Sequence, residues 1–328
     1  MVLNGSDATA IERAALELAQ GRLVAFPTET VYGLGARADS DAAVARIFEA
    51  KGRPANHPVI VHVSDAAGAA AYAANWTPLA ERLTARFWPG PLTVIVDRTP
   101  GIGAAAAAGQ DSVGLRCPAH PVAQALIRAA AANGVSGVAA PSANLFGRVS
   151  PTTAAHVAAD FPTDLLVLDG GACDVGIESS IVDCRGAAPV LLRPGMLSIE
   201  LIEAAADQPI RAPVDAALRV SGNLDSHYAP RATLRLMESA QLAAALQVLG
   251  PAFPGLAVYS HSVSPVRQQP GGLRWRTMPA RARAVAHELF SVLREFDSAG
   301  VQLIWVEQPP PGSEWDGVRD RLQRAASR

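Results

Sequence analysis

The stretch Leu23-Val24-Ala25-Phe26-Pro27-Thr28-Glu29-Thr30-Val31-Tyr32-Gly33-Leu34-Gly35 decides how this chain is built. Its first four residues are apolar and Pro27 stops them, which predicts a short buried strand. The loop that follows carries two threonines, one carboxylate (Glu29) and one phenol (Tyr32). Open α/β sheets bind ligands at the carboxyl ends of their strands, so this loop stands where a site belongs. By itself it reads first as a β-to-α connection built on Ser, Thr and Gly turn chemistry. It is no phosphate-binding P-loop, since GxxxxGK[ST] is missing, and GxGxxG is missing too.

Working outward, an amphipathic helix is predicted over about 7–20, with Ile11, Ala14, Ala15 and Leu18 on one face and Gly21 as its stop. Ser40 caps a helix that carries Val44, Ile47 and Phe48 and ends at Lys51 before Gly52. Residues 59–63 read as a buried strand, with Ser64 capping the next helix. Thr77-Pro78 opens another helix, which ends at Trp88-Pro89-Gly90. Further strands are expected at 92–97, 112–116, 137–141, 165–168, 179–183 and 189–193, and helices near 120–133, 152–160 and 198–206. The Ala-rich stretch 104–108 reads as a tolerant loop. This alternation predicts an α/β domain over 1–208.

Proline and glycine interrupt the periodicity over 209–232, the mark of a linker, though a long one for a passive role. Alternation then resumes with strands at 233–237, 256–260 and 301–306 and helices at 239–249, 279–298 and 315–326. That spacing predicts a small doubly wound α/β domain over 233–328.

Of the 328 residues, 49% are hydrophobic and 18% charged, enough to bury a real core and too apolar for a disordered chain. No apolar run reaches bilayer length, and the N-terminus lacks a signal-peptide profile. The net charge of −2 opposes a long nucleic-acid footprint while leaving room for a local basic cleft. Cys117, Cys173 and Cys184 are odd in number and widely spaced, which fits a reducing cytosol and neither a disulfide framework nor a structural zinc site. Of the 28 basic residues, Lys51 is the one lysine. In so arginine-rich a chain it marks either chance survival on a helix surface or a place that needs a compact ammonium.

Lys51-Gly52-Arg53-Pro54 follows a helix, while Arg116 and Arg193 each end a strand. At a helix end such cations merely complement the dipole, and at strand ends they are often just solvated. Four cations at comparable topological positions also suit one polyanion, such as a triphosphate. Pro141-Ser142-Ala143-Asn144 follows another strand, and Ser150-Pro151-Thr152-Thr153 opens a helix. These offer hydroxyl, amide and free N–H groups to ribose or phosphate, or simply an N-cap by Ser150. His62, flanked by apolar neighbours, is by itself a core histidine. Glu178-Ser179-Ser180 places small hydroxyls at a strand start. No His/Cys/Asp cluster has metal-ligand spacing, and there is no G-x-S-x-G elbow.

Taken together and in order, the run Phe26 to Leu34, Lys51-Gly52-Arg53-Pro54, Pro58-Val59-Ile60-Val61-His62, Trp88-Pro89-Gly90-Pro91-Leu92-Thr93, Pro141-Ser142-Ala143-Asn144, Ser179-Ser180-Ile181-Val182-Asp183 and Leu192-Arg193-Pro194-Gly195 closely resemble the YrdC family. Ser226-His227-Tyr228-Ala229-Pro230, followed by a small domain, resembles the long form of that family. The resemblance covers essentially the whole chain, strongest over 22–195 and weakest over 233–328.

The resemblance implies a twisted, mixed α/β sheet around a concave basic cavity. It implies a nucleotidyl transfer in which L-threonine, bicarbonate and ATP give threonylcarbamoyl-adenylate and pyrophosphate. Mg2+ would accompany the ATP, with no metal ligand from protein side chains. The product would pass, in the cytoplasm, to a separate transferase complex acting on tRNA adenosine beside the anticodon; weak tRNA binding and no membrane would belong to this picture. Position by position, Thr30, His62, Arg116, Ala140 (through its backbone) and Ser180 match the family's threonine contacts, with Tyr32 close enough to line the same cavity. Lys51, Arg53, His57, Ser112, Ser142, Asn144, Ser150, Arg193 and Tyr228 match the nucleotide side, Lys51 and Arg53 as the catalytic cations. The linker would fold over the opening as a lid, bringing His227 and Tyr228 to the nucleotide.

Two departures stand out. His57 occupies a position where the family more often has asparagine, and residues 220–225 lack the basic character of many long forms. The residues otherwise suit the reaction, because a carbamate is its own nucleophile and leaves positioning and charge neutralisation to the protein. One rival reading is a double-stranded RNA or tRNA-binding module using the same basic cavity. The near-neutral charge and the many small hydroxyl side chains disfavour it. Another rival, a carbamoyl-adenylating domain of a larger enzyme, is disfavoured because no acylphosphatase-like or zinc-finger segment precedes residue 22.

Overall fold

The computed structural model describes residues 1–54, 56–211, 218–222, 228–249, 255–264 and 273–327. They form two compact units, one of Met1–Phe146 with Ser150–Asn223 and one of Gly147–Val149 with Leu224–Arg328. The segment expected as a linker is thereby divided, and residues 212–217 and 223–227 of it, His227 included, lie outside the described residues.

The first unit begins with β1 (Val2–Asn4), α1 (Ala8–Ala19), β2 (Val24–Phe26), β3 (Gly33–Arg37), α2 (Asp41–Lys51) and β4 (Val61–His62). It continues through α3 (Ala66–Ala69), β5 (Ala73–Asn75), α4 (Pro78–Phe87), β6 (Leu92–Arg98), β7 (Ser112–Arg116) and α5 (Pro121–Ala132). It ends with β8 (Val138–Ala139), α6 (Ala154–Asp160), β9 (Leu166–Asp169), β10 (Ser180–Asp183), β11 (Val190–Arg193) and α7 (Ile199–Ala206). The strands form one sheet ordered β1-β9-β2-β3-β8-β4-β7-β6-β10-β11, with β5 paired to β6. Pairing is mixed: β2 is parallel to β9 and antiparallel to β3. Likewise β6 is parallel to β10 and antiparallel to β7.

Helices cover both faces. Val24 and Phe26 pack with Ile11, Leu18, Leu126 and Ile127 of α1 and α5, while Ala25 between them joins the layer built on α2, α4, α6 and α7. A strand buried on both faces reads as an unbroken apolar run, which is why Leu23–Phe26 carries no polar alternation. The predicted caps hold: Ser40 Oγ accepts from Ala43 N at 3.3 Å and Thr77 Oγ1 from Ala80 N at 3.1 Å. Such caps are worth about 1 kcal/mol each. Gly52 closes α2 in the left-handed conformation, at φ 60°.

Several expectations are corrected. Asp65, not Ser64, caps α3, accepting from Gly68 N at 2.8 Å, and Thr153, not Ser150, caps α6. The strand expected over 59–63 narrows to Val61–His62, since Val59 N donates to Ala106 O at 2.8 Å instead. That contact, with Ala106 and Ala107 buried, makes the Ala-rich stretch a packed support rather than a tolerant loop. Strand β3 falls in residues read as loop, because glycine breaks the apolar pattern there. Packing demands that glycine: a Cβ on Gly35 would lie 2.8 Å from a Phe26 ring carbon, 2.9 Å from a Val138 methyl and 3.2 Å from Val24 O. The edge strands β1 and β5 are three residues each, too short to show a period.

The second unit comprises β12 (Thr233–Met237), α8 (Ser239–Leu249), β13 (Leu256–Ser260), β14 (Arg274–Thr277), α9 (Ala282–Ser298), β15 (Leu303–Glu307) and α10 (Asp316–Ala326). Its sheet, ordered β12-β15-β13-β14, is wholly parallel, as expected of a doubly wound domain. Strand β14 was not anticipated; its Arg-Trp-Arg-Thr sequence is largely exposed and reads as neither buried run nor helix. Buried Glu307 ties together the carboxyl ends of these strands, accepting from Ser260 Oγ at 2.5 Å, His261 N at 2.8 Å and Ser262 N at 2.9 Å. Burial alone would raise its pKa, but these bonds and those from the Ser239 and Ser262 hydroxyls outweigh it and hold it at about 2.

Replacing Gly35 by alanine is expected to destabilise the first unit by about 1–3 kcal/mol through overpacking against Phe26 and Val138. Urea unfolding of the variant checks this; an unchanged midpoint would show that the β2–β3 contact is not tight.

Candidate active site

The loop between β2 and β3 is rigidly held. Thr28 Oγ1 donates to Val31 O at 2.7 Å and lies 2.8 Å from Thr30 Oγ1, while Val175 N and Gly176 N donate to the Glu29 and Thr30 carbonyls at 2.7 and 3.1 Å. Tyr32 is fully buried in the core; its hydroxyl donates to Gly171 O at 2.8 Å and accepts from Gly170 N at 3.2 Å. That side chain braces the loop against the end of β9, a role its place in the sequence did not reveal.

The four cations singled out in the sequence are all buried: Lys51 is 3% exposed, Arg53 9%, Arg116 4% and Arg193 2%. Lys51 Nζ donates to Ser142 O at 2.6 Å and to Asn144 O, joining the end of α2 to the loop after β8. Arg53 donates to Pro58 O at 3.1 Å with its guanidinium 5.9 Å from the centre of the Phe48 ring. Arg193 Nη2 donates to Ser179 O at 2.9 Å and its Nη1 to Ser221 O at 2.8 Å. Arg116 pairs with Glu29 at 2.7 Å. Unlike the Glu29 carboxylate on Arg116, the Ser142, Pro58 and Ser179 carbonyls position their cations without bringing a negative charge of their own. Beside Arg53 opens a groove of about 720 Å³ lined by Phe48, Gly52, Pro54, Ala105 and Ala108, within the size range of small-ligand pockets.

His62 neighbours Arg116 in the β4–β7 register, and its Nδ1 lies 3.3 Å from Val138 O. Burial first and the Arg116 charge second push its pKa down to about 3, so the ring is neutral in the folded protein. His57 is likewise lowered, by burial and then by Arg53 and Arg219. Ala140 N is engaged by Ile60 O at 2.9 Å. Ser112 begins β7 and Arg116 ends it, so the two stand at opposite ends of one strand. Ser180 N donates to Pro91 O at 3.0 Å; a Cβ on Gly195 would come within 2.4 Å of that same nitrogen, so only glycine lets the turn after β11 approach Ser180. Tyr228 belongs to the second unit, buried against Phe290 (ring centres 5.5 Å apart) and beneath Arg321.

The structure adds residues that the sequence reading had not assigned to the site. Ser150 Oγ donates to Glu178 Oε1 at 2.5 Å, which gives the hydroxyl freed from capping its partner. Ser179 Oγ meets Thr93 Oγ1 at 2.8 Å beneath Arg193. Residues 218–222 fasten to the rest of the first unit: Arg219 N donates to Gln110 Oε1 at 3.0 Å, Arg219 Nη1 donates to Asn56 O at 2.6 Å, and Val220 packs with Ile60, Ile95 and Ile181. Of these partners, Glu178 and Ser179 were visible beforehand as a carboxylate and small hydroxyl at a strand start.

Fold and site define a class: an α/β protein whose strand-end loops bury a set of cations and hydroxyls, followed by a small parallel α/β domain. Residues 17–195 match the Sua5–YciO–YrdC family, described under telomere recombination, and residues 197–327 match the C-terminal domain of threonylcarbamoyl-AMP synthase. Threonylcarbamoyl-AMP synthase from Pyrococcus abyssi is 36% identical over 332 residues, covering 96% of this chain and 94% of the relative. The Bacillus subtilis enzyme of the same name is 37% identical over 327 residues, covering 96% and 92%. A crystal structure of P. abyssi Sua5 complexed with L-threonine superposes with a TM-score of 0.86 at 35% identity, over 98% of this chain and 95% of that one. The chain belongs to the Sua5–YciO–YrdC family, in the two-domain form of the threonylcarbamoyl-AMP synthases.

Because His62 stays neutral when folded but takes up a proton near pH 6.5 when unfolded, its contribution is complete above pH 6.5 and is lost as pH falls toward 3. Between pH 7 and 5 the stability of the wild-type chain should fall more steeply than that of His62→Gln, by at most about 1.4 kcal/mol per pH unit. Parallel urea-unfolding curves for the two proteins would contradict a buried, neutral His62.

Proposed function

We propose that the chain condenses L-threonine, bicarbonate and ATP into threonylcarbamoyl-AMP and pyrophosphate. The single observation that carries the reading is the burial of Lys51, Arg53, Arg116 and Arg193 in one unit. The relatives' shared enzyme name and the L-threonine complex of one of them support catalysis over simple RNA binding.

The threonine amine first condenses with bicarbonate: the N–C bond forms, a C–O bond of bicarbonate breaks, and water departs, giving a carbamate. A carbamate oxygen then attacks the α-phosphorus, the bond from that phosphorus to the β-bridging oxygen breaks, and pyrophosphate leaves. No protein nucleophile is needed; binding, alignment and charge stabilisation supply the rate. Thr30, His62, Arg116, the Ala140 backbone and Ser180 would hold threonine, with Tyr32 bracing the loop. Lys51, Arg53, His57, Ser112, Ser142, Asn144, Ser150 and Arg193 would hold the nucleotide, His57 as a neutral hydrogen-bonding ring. Residues 218–222, bonded to Arg193 through Ser221, serve in this reading as part of a cover over the nucleotide. Excluding water there protects a labile carbamate and mixed anhydride.

Among the described residues no group of three or more His, Cys, Asp or Glu could hold a metal ion. In this reading Mg2+ enters as part of the ATP complex. The adenylate is an activated acyl donor, to be consumed by a tRNA threonylcarbamoyl transferase, with at most weak tRNA binding here. Buried thiols at Cys117, Cys173 and Cys184 suit the cytoplasm. No helix among the described residues is long and apolar enough to cross a membrane.

Purified protein should release pyrophosphate from ATP and bicarbonate only when L-threonine is added, with serine a poor substitute and the adenylate detectable by mass. Release indifferent to threonine would refute the reaction. Lys51→Ala should lower turnover by about 10²–10³-fold, and Lys51→Arg should also be impaired, since a planar fork does not replace a point charge beneath phosphates. Wild-type turnover in both variants would remove Lys51 from the chemistry.

A further inference from the structure

The loop between β2 and β3 commits its one carboxylate to a single cation. Glu29 Oε1 accepts from Arg116 Nη2 at 2.7 Å, and Oε2 accepts from Ala119 N at 3.0 Å, so one side chain spans the turn leaving β7. The backbone of Glu29 is itself fixed by Val175 N at 2.7 Å. Arg116 Nε reaches Gly90 O at the longer distance of 3.4 Å. Among the described residues, neither proton on Arg116 Nη1 has a hydrogen-bond partner. A guanidinium carries its donors in a rigid planar fork, so anchoring the Nη2 and Nε side determines the direction of Nη1.

We infer that Glu29 is a positioning residue for the threonine subsite: by holding one edge of Arg116 it orients the open edge toward the amino-acid carboxylate. The inference rests on the proposed reaction, which places Arg116 on the threonine side. It concerns that side alone, because Lys51, Arg53 and Arg193 are held by the carbonyls of Ser142, Asn144, Pro58, Ser179 and Ser221, on other loops. Loss of Glu29 therefore disturbs one cation and leaves the other three anchored. The burial of both partners, at 4% and 7% side-chain exposure, means that water cannot replace the missing carboxylate.

The test measures L-threonine and ATP binding separately, by calorimetry on the full chain, for wild type, Glu29→Gln, Arg116→Gln and the double variant. Glu29→Gln should weaken threonine binding about tenfold or more and ATP binding by less than about twofold. In the Arg116→Gln background, Glu29→Gln should cause no further loss, since its effect passes through Arg116. The double variant buries no unpaired charge and carries the test if the single Glu29 variant does not fold. Unchanged threonine affinity in Glu29→Gln, equal losses for both ligands, or a further loss in the double variant would each overturn the inference. A wild-type chain that binds no threonine would overturn the underlying reaction instead.

Discussion

Taking Arg116 out of water costs several kcal/mol unless a partner meets it, and Glu29 is that partner. The pair is less a source of stability than a constraint on where everything near it sits. It ties the loop after β2 to the end of β7, and β7 carries the register that places His62 beside Arg116. The same neighbourhood that anchors the guanidinium keeps His62 neutral. Burial first, and the neighbouring charge second, set the chemical state of His62.

The other cations are arranged on a different plan. Lys51 and Arg193 donate to backbone carbonyls of loops, so each joins two chain segments. This is how positioned electrostatics reconciles a stable interior with an anionic substrate: the donors are oriented before the ligand arrives, and little reorganisation remains. The second unit solves its own charge problem the opposite way. There Glu307 is surrounded by hydroxyl and N–H donors and serves to fasten strand ends.

Much of the site was legible in the sequence, and the reasons are local. Lys51 closes a capped helix, and Arg116 and Arg193 end apolar strands, so periodicity alone places them at loop junctions. Tyr32 was misplaced as a cavity wall because its true partners, Gly170 and Gly171, lie about 138 residues along the chain. Ser150 read as a helix cap because it precedes a proline and two threonines; Thr153 takes that position, and Glu178 takes the Ser150 hydroxyl. Strand β3 was hidden because its glycines answer to Phe26 and Val138 across the sheet rather than to any alternation of their own.

By itself the sequence determined the class of fold, the order of most elements and the family, since apolar period, caps and ordered motifs are properties of neighbouring residues. Tertiary structure alone decided which partner each buried charge takes. Glu29 and Arg116 stand 87 residues apart, and only the pairing of strands brings a particular carboxylate to a particular guanidinium. Side-chain chemistry states that a buried ion needs a partner; the register of the sheet, a long-range property, chooses it.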